Sequence, residues 1–247
     1  MPLTETFHRP AVIELRQYTL RPGRRDDLID LFDREFVETQ EATGMVVLGQ
    51  FRDLDDPDRF VWLRGFHDMG ARHSALTAFY GGPVWAEHGP EANASMLDSD
   101  DVLLLRPLVP DESGFTVDPS ERPPVGSLAP ERFVSAWVWS FPPGRPEGIE
   151  LIRDRLLPVL HETGPAPLAA LATENAHNTF PRLPVRTGEN VAVVFTSYAD
   201  EDTYRKHLTA IRDHPLARDE ILPRIEREQA VTPRTLRLAP TGRSAIS

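Results

Sequence analysis

A chain of 247 residues with 40% apolar and 26% charged side chains has the size and composition of one large folded domain or two small ones. Its net charge of −11, with no run of five Lys or Arg, argues against a nucleic-acid partner, because phosphate backbones attract basic surfaces. The absence of cysteine excludes disulfides, thiolate catalysis, iron–sulfur clusters and Cys-type zinc sites together, and no apolar run approaches the ~18 residues of a membrane span.

Val12–Leu20 alternates like a strand and ends at Arg21-Pro22-Gly23-Arg24. Leu28, Leu31, Phe32 and Phe36 then recur at helical spacing, and Gly44 follows as an expected left-handed cap. Strands at 45–52 and 59–66 flank the polar loop 53–58, which suits a hairpin and lacks the EF-hand pattern. A helix from about Gly70 is interrupted at Gly81-Gly82-Pro83, and a strand at 102–106 stops at Pro107. Residues 107–130 then hold six prolines among small polar residues and read as a linker.

Beyond the linker the order returns. Residues 132–141 are strand-like, and Pro143-Gly144-Arg145 repeats Pro22-Gly23-Arg24 at an offset of 121. Ile149, Ile152, Leu156 and Leu160 share a helical face, with Gly164 as the second expected left-handed cap. At an offset of 132, the strand at 192–198 matches 60–66, Asp200 matches Asp68, Leu208-Thr209-Ala210 matches Leu76-Thr77-Ala78, and Pro215 matches Pro83. The last strand, 235–239, ends at Pro240. Constant offsets across several anchors point to two copies of one β-α-β-β-α-β unit, at 11–107 and 132–240, joined by a linker at 108–131. The expected fold class is therefore α+β: tandem ferredoxin-like modules packed sheet to sheet in one chain, with helices outside.

The run Phe66-His67-Asp68-Met69, the run Ala78-Phe79-Tyr80-Gly81-Gly82-Pro83-Val84-Trp85, and His88, Asn93, Asp98-Ser99-Asp100 and Leu103-Leu104-Leu105-Arg106-Pro107 together resemble bacterial NIPSNAP-family proteins. Asn178-Thr179-Phe180-Pro181-Arg182-Leu183-Pro184-Val185-Arg186 does so in the second half, and Ile13-Glu14-Leu15-Arg16-Gln17-Tyr18 with its Pro22-Gly23 turn is similar to the family's start. The resemblance implies a dimeric α/β barrel formed within one chain. It implies no single reaction: relatives of this fold include cofactor-independent monooxygenases, haem-degrading monooxygenases and small-ring isomerases.

Strand alternation sorts the candidate site residues. Glu14, Arg16 and Tyr18 share one face of the first strand; Trp62, Arg64 and Phe66 share one face of the third; Trp137 and Trp139 match the first group in the second module. The opposite faces (Ile13/Leu15, Val61/Leu63, Val193/Phe195) are simple aliphatics and are expected to cover the helices. The mixed faces are then expected to meet inside the barrel, where Arg64 would be buried and paired. Aromatic walls with a few polar groups make a small-molecule pocket. In that reading Glu14, Arg16, Trp62, Arg64, Phe66, Trp85, Trp137 and Trp139 bind substrate, with Trp85 as a wall of the first module where the repeat has Ala217. Tyr18, His73 and His88 move protons, His88 at the pocket mouth. His161 and His177 carry the same chemistry with less support from their positions.

No His-rich helix motif, phosphate loop, GxGxxG or GxSxG occurs, so no metal or nucleotide is expected. The favoured reading is a small-molecule enzyme without cofactor, acting on an apolar or aromatic, also anionic, metabolite that Arg16 and Arg64 orient. A binding or interaction protein without chemistry is the alternative. A haem-binding oxygenase is the third, since Trp62 followed by His73 is loosely similar to haem-degrading relatives. The start of the sequence lacks a basic-then-apolar signal, which makes a cytoplasmic protein the expectation; homo-oligomerisation is left open. Lys206 is the only lysine among 27 basic residues, a bias that a GC-rich bacterial genome explains.

Overall fold

A computed structural model describes residues 9–247. The first module runs β1 (Val12–Leu20), α1 (Arg25–Leu31), a π-helical turn at Phe32–Phe36, α2 (Val37–Glu41), β2 (Val46–Asp53), β3 (Arg59–Phe66), α3 (Met69–Tyr80), α4 (Pro83–Ser95) and β4 (Met96–Pro107). The second runs β5 (Phe133–Ser140), α5 (Glu147–Leu151), a π-helical turn at Ile152–Leu156, α6 (Leu157–Thr163), β6 (Ala169–Thr173), β7 (Val191–Tyr198), α7 (Glu201–Asp213), a π-helical turn at Ala217–Ile221, α8 (Leu222–Glu228) and β8 (Val231–Pro240).

The repeat extends to local geometry. Gly23 and Gly144 both turn with φ +76°, a conformation that glycine adopts without steric cost. Asp68 and Asp200 cap α3 and α7 by accepting from Ala71 N and Thr203 N at 2.7 Å. Register repeats as well: Glu14 lies opposite Arg64 and Arg16 opposite Trp62, as Ser135 lies opposite Thr196 and Trp137 opposite Val194. The two helix-end glycines differ. Gly44 has φ +98°, as expected of a left-handed cap. Gly164 is extended instead (φ −166°), and a Cβ there would meet the His207 ring at 2.4 Å, so close packing selects the glycine.

The strands close into one barrel in the order β1-β3-β2-β8-β5-β7-β6-β4. Each module supplies four strands, and two antiparallel seams join them: β2 with β8 (Phe51 opposite Pro240) and β4 with β6 (Arg106 opposite Ala172). The lumen is filled by a cluster drawn from all eight strands, including Ile13, Leu15, Leu48, Val61, Leu63, Leu103, Leu105, Ala136, Leu171, Val193, Phe195, Leu236 and Leu238.

This corrects the expected sense of the faces. The aliphatic face lines the lumen, and the mixed face turns outward onto the helices. An eight-stranded barrel is only wide enough to be filled by its own side chains, so aliphatics suit it and a cluster of Arg, Glu and Trp does not. The space between sheet and helices has helix side chains to supply polar partners. The Pro-rich segment also does more than connect: Phe115 and Val117 join the lumen cluster, and Ile246 joins it from beyond β8. Arg122 pairs with Glu41 at 2.6 Å, and Arg243 pairs with Glu38. Among the described residues, no helix is long and apolar enough to cross a membrane.

Candidate functional site

Between the first module's sheet and its helices lies a narrow aromatic cavity whose free space, about 20 Å³, is room for about one water molecule. β1 and β3 supply Tyr18 and Trp62. The α1–α2 helix supplies Leu28, Phe32, Phe36 and Gln40, the two phenylalanines from its π-helical turn. Tyr80 and Trp85 come from either side of the break at Gly81-Gly82, where Pro83 opens α4 as its first residue. The rings pack edge to face: Phe32 on Trp62 at 4.8 Å, Tyr80 on Trp85 at 4.7 Å and Tyr18 on Trp62 at 5.8 Å between centroids.

Behind these rings sits a fully buried charge cluster. Oε2 of Glu14 accepts from Arg16 Nη1 at 2.6 Å and Arg64 Nε at 2.8 Å, and Oε1 accepts from Arg72 Nε at 2.7 Å. Glu14, Arg16, Arg64 and Arg72 are each 1% exposed or less. Three guanidinium groups against one carboxylate leave two positive charges uncompensated. Aromatic faces offset part of that cost, with the Arg64 guanidinium 5.2 Å from the Trp62 ring and 5.7 Å from Tyr80. Burial by itself raises the Glu14 pKa, but the three arginines outweigh it and hold the carboxyl far below its ordinary range. Burial raises the Tyr18 pKa, so this phenol keeps its proton at neutral pH. Burial also lowers the Arg72 pKa, against the pull of Glu14.

Arg64 is thus buried and paired as expected, though on the helix side of the sheet and not in the lumen. Tyr18 and Trp62 line the cavity, Glu14, Arg16 and Arg64 stand behind it, and Phe66 lies beneath Arg64, 5.7 Å from its guanidinium. Trp85 forms a wall. The other candidates fall elsewhere. His88 lies outside the cavity, 3.6 Å from Glu35. His73 is exposed, with Nδ1 2.6 Å from the Thr179 carbonyl. Trp137 and Trp139 pack on the second module's helices among Leu151, Ile152 and Ile221. With both histidines turned away from the cavity, these residues do not fit haem ligation there, and no haem-dependent step is derived.

Sequence reasoning missed Arg72, Gln40 and Tyr80 as site members. Arg72 carried a readable signal: it lies four residues before Leu76 and seven before Phe79, so an arginine occupies the apolar stripe of α3. It also ties the modules together, since its Nη1 donates to Asn178 Oδ1 at 2.9 Å and Thr179 Oγ1 at 3.3 Å. Phe180 from the same loop stacks on Tyr80 at 5.9 Å. The second module therefore closes one side of the first module's site.

A closed eight-stranded barrel built from two β-α-β-β-α-β units with helices outside is the dimeric α/β barrel, here completed within one chain. Three solved structures share the fold over almost their whole length. One is a candidate monooxygenase from Lactobacillus acidophilus NCFM, with a TM-score of 0.58, 13% identity, and coverage of 96% of this chain and 97% of that one. A second candidate monooxygenase, from Fusobacterium nucleatum, has a TM-score of 0.57 and 9% identity, covering 95% and 94%. An anthrone oxidase-like protein has a TM-score of 0.59 and 12% identity, covering 94% and 92%. At these identities the likeness is one of fold. The NIPSNAP family model matches residues 13–109, which lie almost wholly in the first module, the one that holds the cavity. Among curated proteins none matches the chain.

Proposed function

We propose that the first module is the working half of a small-molecule enzyme that acts on an aromatic, anionic metabolite without a nucleotide cofactor. The observation that carries this reading is the pair of uncompensated positive charges buried behind an aromatic cavity. Burying a charge is costly unless it is paired, and a bound anion supplies the missing partner. The closed cavity has room for about one water, so in this reading α3 and α4 part at Gly81-Gly82 to admit the ligand, and the aromatic wall then gives it area and the polar groups orientation. The fold likeness to two candidate monooxygenases and an anthrone oxidase-like protein is consistent with a flat aromatic substrate.

The test is a thermal-shift screen of aromatic acids, phenols and quinols, followed by turnover assays on each hit under air. Hits should stabilise the wild type and lose most of that effect in Trp85→Ala, with the far-UV spectrum unchanged. A set of hits indifferent to Trp85 places the site elsewhere. Binding without turnover favours the reading of a ligand-binding protein, to which the absence of a free base in the cavity lends weight.

A further inference from the structure

A second and much larger cleft, of about 390 Å³, lies at the seam between the modules. Val12 at the start of β1, Met69 at the start of α3, and Pro107 and Pro110 after β4 give it apolar walls, and Arg106 lines it from the end of β4. The second module shows the same place filled by the chain itself. Phe133 stands there for Val12 and Glu201 for Met69, at the repeat offsets of 121 and 132, and Phe133 lies opposite Tyr198 as Val12 lies opposite Phe66. Arg237 of β8 sits over the Phe133 ring, 5.8 Å from its centroid, and pairs with Glu201 at 2.6 Å and Asp55 at 2.5 Å. Guanidinium, carboxylate and aromatic ring thus complete one another within the second module. The first module has the arginine without the other two. Arg106 shares the helix-facing side of β4, as Arg237 does of β8, two residues beyond the matching position. It is partly buried, makes one long hydrogen bond of 3.5 Å to the Pro107 carbonyl, and meets no carboxylate among the described residues. The acids that border the cleft are engaged or exposed. Asp68 caps α3 on Ala71 N at 2.7 Å, Glu174 accepts from Ala176 N at 2.8 Å, and Asp111 stands on the open rim, where its carbonyl accepts from Arg9 Nη1 at 2.5 Å.

We infer that this cleft is a second binding site, for an aromatic monocarboxylate whose carboxylate takes Arg106 and whose ring lies against Val12 and Met69. Such a ligand supplies the two groups that Phe133 and Glu201 supply in the second module. A guanidinium fork with no carboxylate of its own receives one in two parallel hydrogen bonds. The apolar walls give the ring its area, and the size of the cleft suits a small molecule. The site is separate from the aromatic cavity, because none of its lining side chains lines that cavity. It is built from three parts of the chain: the first module, the Pro-rich segment at Pro110–Gly114, and the second module's loop at Glu174–Ala176. That loop is already tied to the same wall by Thr179 Oγ1, which donates to the Met69 carbonyl at 3.1 Å. A ligand seated there bridges the two modules, and it stabilises the folded chain by mass action because only the docked arrangement forms the site.

The experiment titrates 3-phenylpropanoate into the full-length chain by calorimetry, beside its neutral amide 3-phenylpropanamide and the cationic 3-phenylpropylamine. The carboxylate should bind best, with the amide about tenfold weaker and the amine no tighter than the amide. Arg106→Gln should weaken the carboxylate about tenfold and leave the amide unchanged. Met69→Glu installs the second module's carboxylate and should weaken 3-phenylpropanoate by about tenfold or more, with an unchanged far-UV spectrum, since an acidic residue suits the first turn of a helix. An amine that binds as tightly as the carboxylate overturns the inference, because the acidic rim would then set the charge of the ligand. So does carboxylate binding that is indifferent to Arg106→Gln and Met69→Glu. If that binding is lost in Trp85→Ala instead, the aromatic cavity holds the probe, and the function proposed for it stands while this second site falls. No binding of any of the three at millimolar concentration overturns the second site as well.

Discussion

Where the first module has Glu14, Arg16, Arg64 and Arg72, the second has Ser135, Trp137, Thr196 and Tyr204 in the same strand register and helix position. Around those positions the first module packs Phe32, Phe36 and Trp85 around a gap of about 20 Å³, while the second packs Ile152, Leu156 and Ala217 into an aliphatic core. Tyr198 and His207 hydrogen-bond each other there at 2.9 Å, and Thr163 meets the other ring nitrogen at 3.1 Å, so that module's few polar groups largely satisfy one another. One backbone plan therefore holds together with and without a buried charge cluster. The fold does not need the cluster, and a group that costs desolvation without being needed for folding is best explained by what it binds.

The largest expected effect comes from unbalancing the cluster. Glu14→Gln strands three guanidinium groups with no carboxylate, and should cost about 3–5 kcal/mol in denaturant unfolding. Installing the second module's residues together (Glu14→Ser, Arg16→Trp, Arg64→Thr, Arg72→Tyr) removes the charges as well as the partner. That quadruple variant should lose less stability than Glu14→Gln alone, because residues in one network are strongly non-additive. If it loses more than the single variant, the cluster is needed for folding and the comparison fails.

Next is Trp85, which the second module replaces with Ala217. Trp85→Ala should weaken binding of a cavity ligand by about tenfold to a hundredfold, or 1.4–2.8 kcal/mol. Equal affinity in wild type and variant would remove Trp85 from the wall.

The repeat and its offsets could be read because glycine turns, proline stops and helix caps are local choices that leave marks in sequence. The sense of the faces could not be read from alternation. Period-2 alternation separates Ile13 and Leu15 from Glu14 and Arg16, but it does not say which set faces the lumen. That depends on barrel width, a property of the closed sheet and of no single strand. Arg72 and Asn178, 106 residues apart, meet only because the two modules are docked. Glu14, Arg16 and Arg64 were legible, because polar residues on otherwise apolar strands demand partners. Neither His73 nor His88 reaches the cavity, because helical spacing and imidazole chemistry do not say where a side chain on α3 or α4 points.

A smaller, pH-dependent difference should appear at the π-helical turn. Asp33 is largely buried, and burial, with Asp30 adding to it and Arg243 opposing, pushes its pKa up from 3.8 to about 6. Its counterpart Arg153 is exposed and pairs with Asp154 at 2.7 Å. Because the folded state holds the Asp33 proton more tightly than the unfolded state, its contribution is complete below about pH 4 and is lost as pH rises through 6. Glu14 works the other way, stabilising above its ordinary 4.5 and losing that contribution as pH falls below it. Acidification from pH 7 to pH 5 should therefore stabilise the wild type relative to Asp33→Asn. Parallel stability–pH curves for the two would show that Asp33 has an ordinary pKa.

The smallest expected effects separate the two histidines. His73 holds the second module's loop through the Thr179 carbonyl and packs near Phe180, with ring centroids 6.3 Å apart. Phe180 in turn stacks on Tyr80, a cavity wall, so loosening the loop reaches the site in two contacts. His73→Ala removes one hydrogen bond and should cost about 0.5–1.5 kcal/mol of stability, with a modest loss of ligand affinity. His88 faces Glu35 and Glu87 at 3.6 and 3.9 Å on a half-exposed surface, where ion pairs contribute little. His88→Ala should leave stability within about 0.5 kcal/mol of wild type and affinity unchanged. Measured side by side by denaturant unfolding and ligand titration, the pair tests whether the second module helps to build the site. An effect of His88→Ala on affinity equal to that of His73→Ala would mean that ligand enters past α4 and not beside the loop, and the second module would then be a scaffold only.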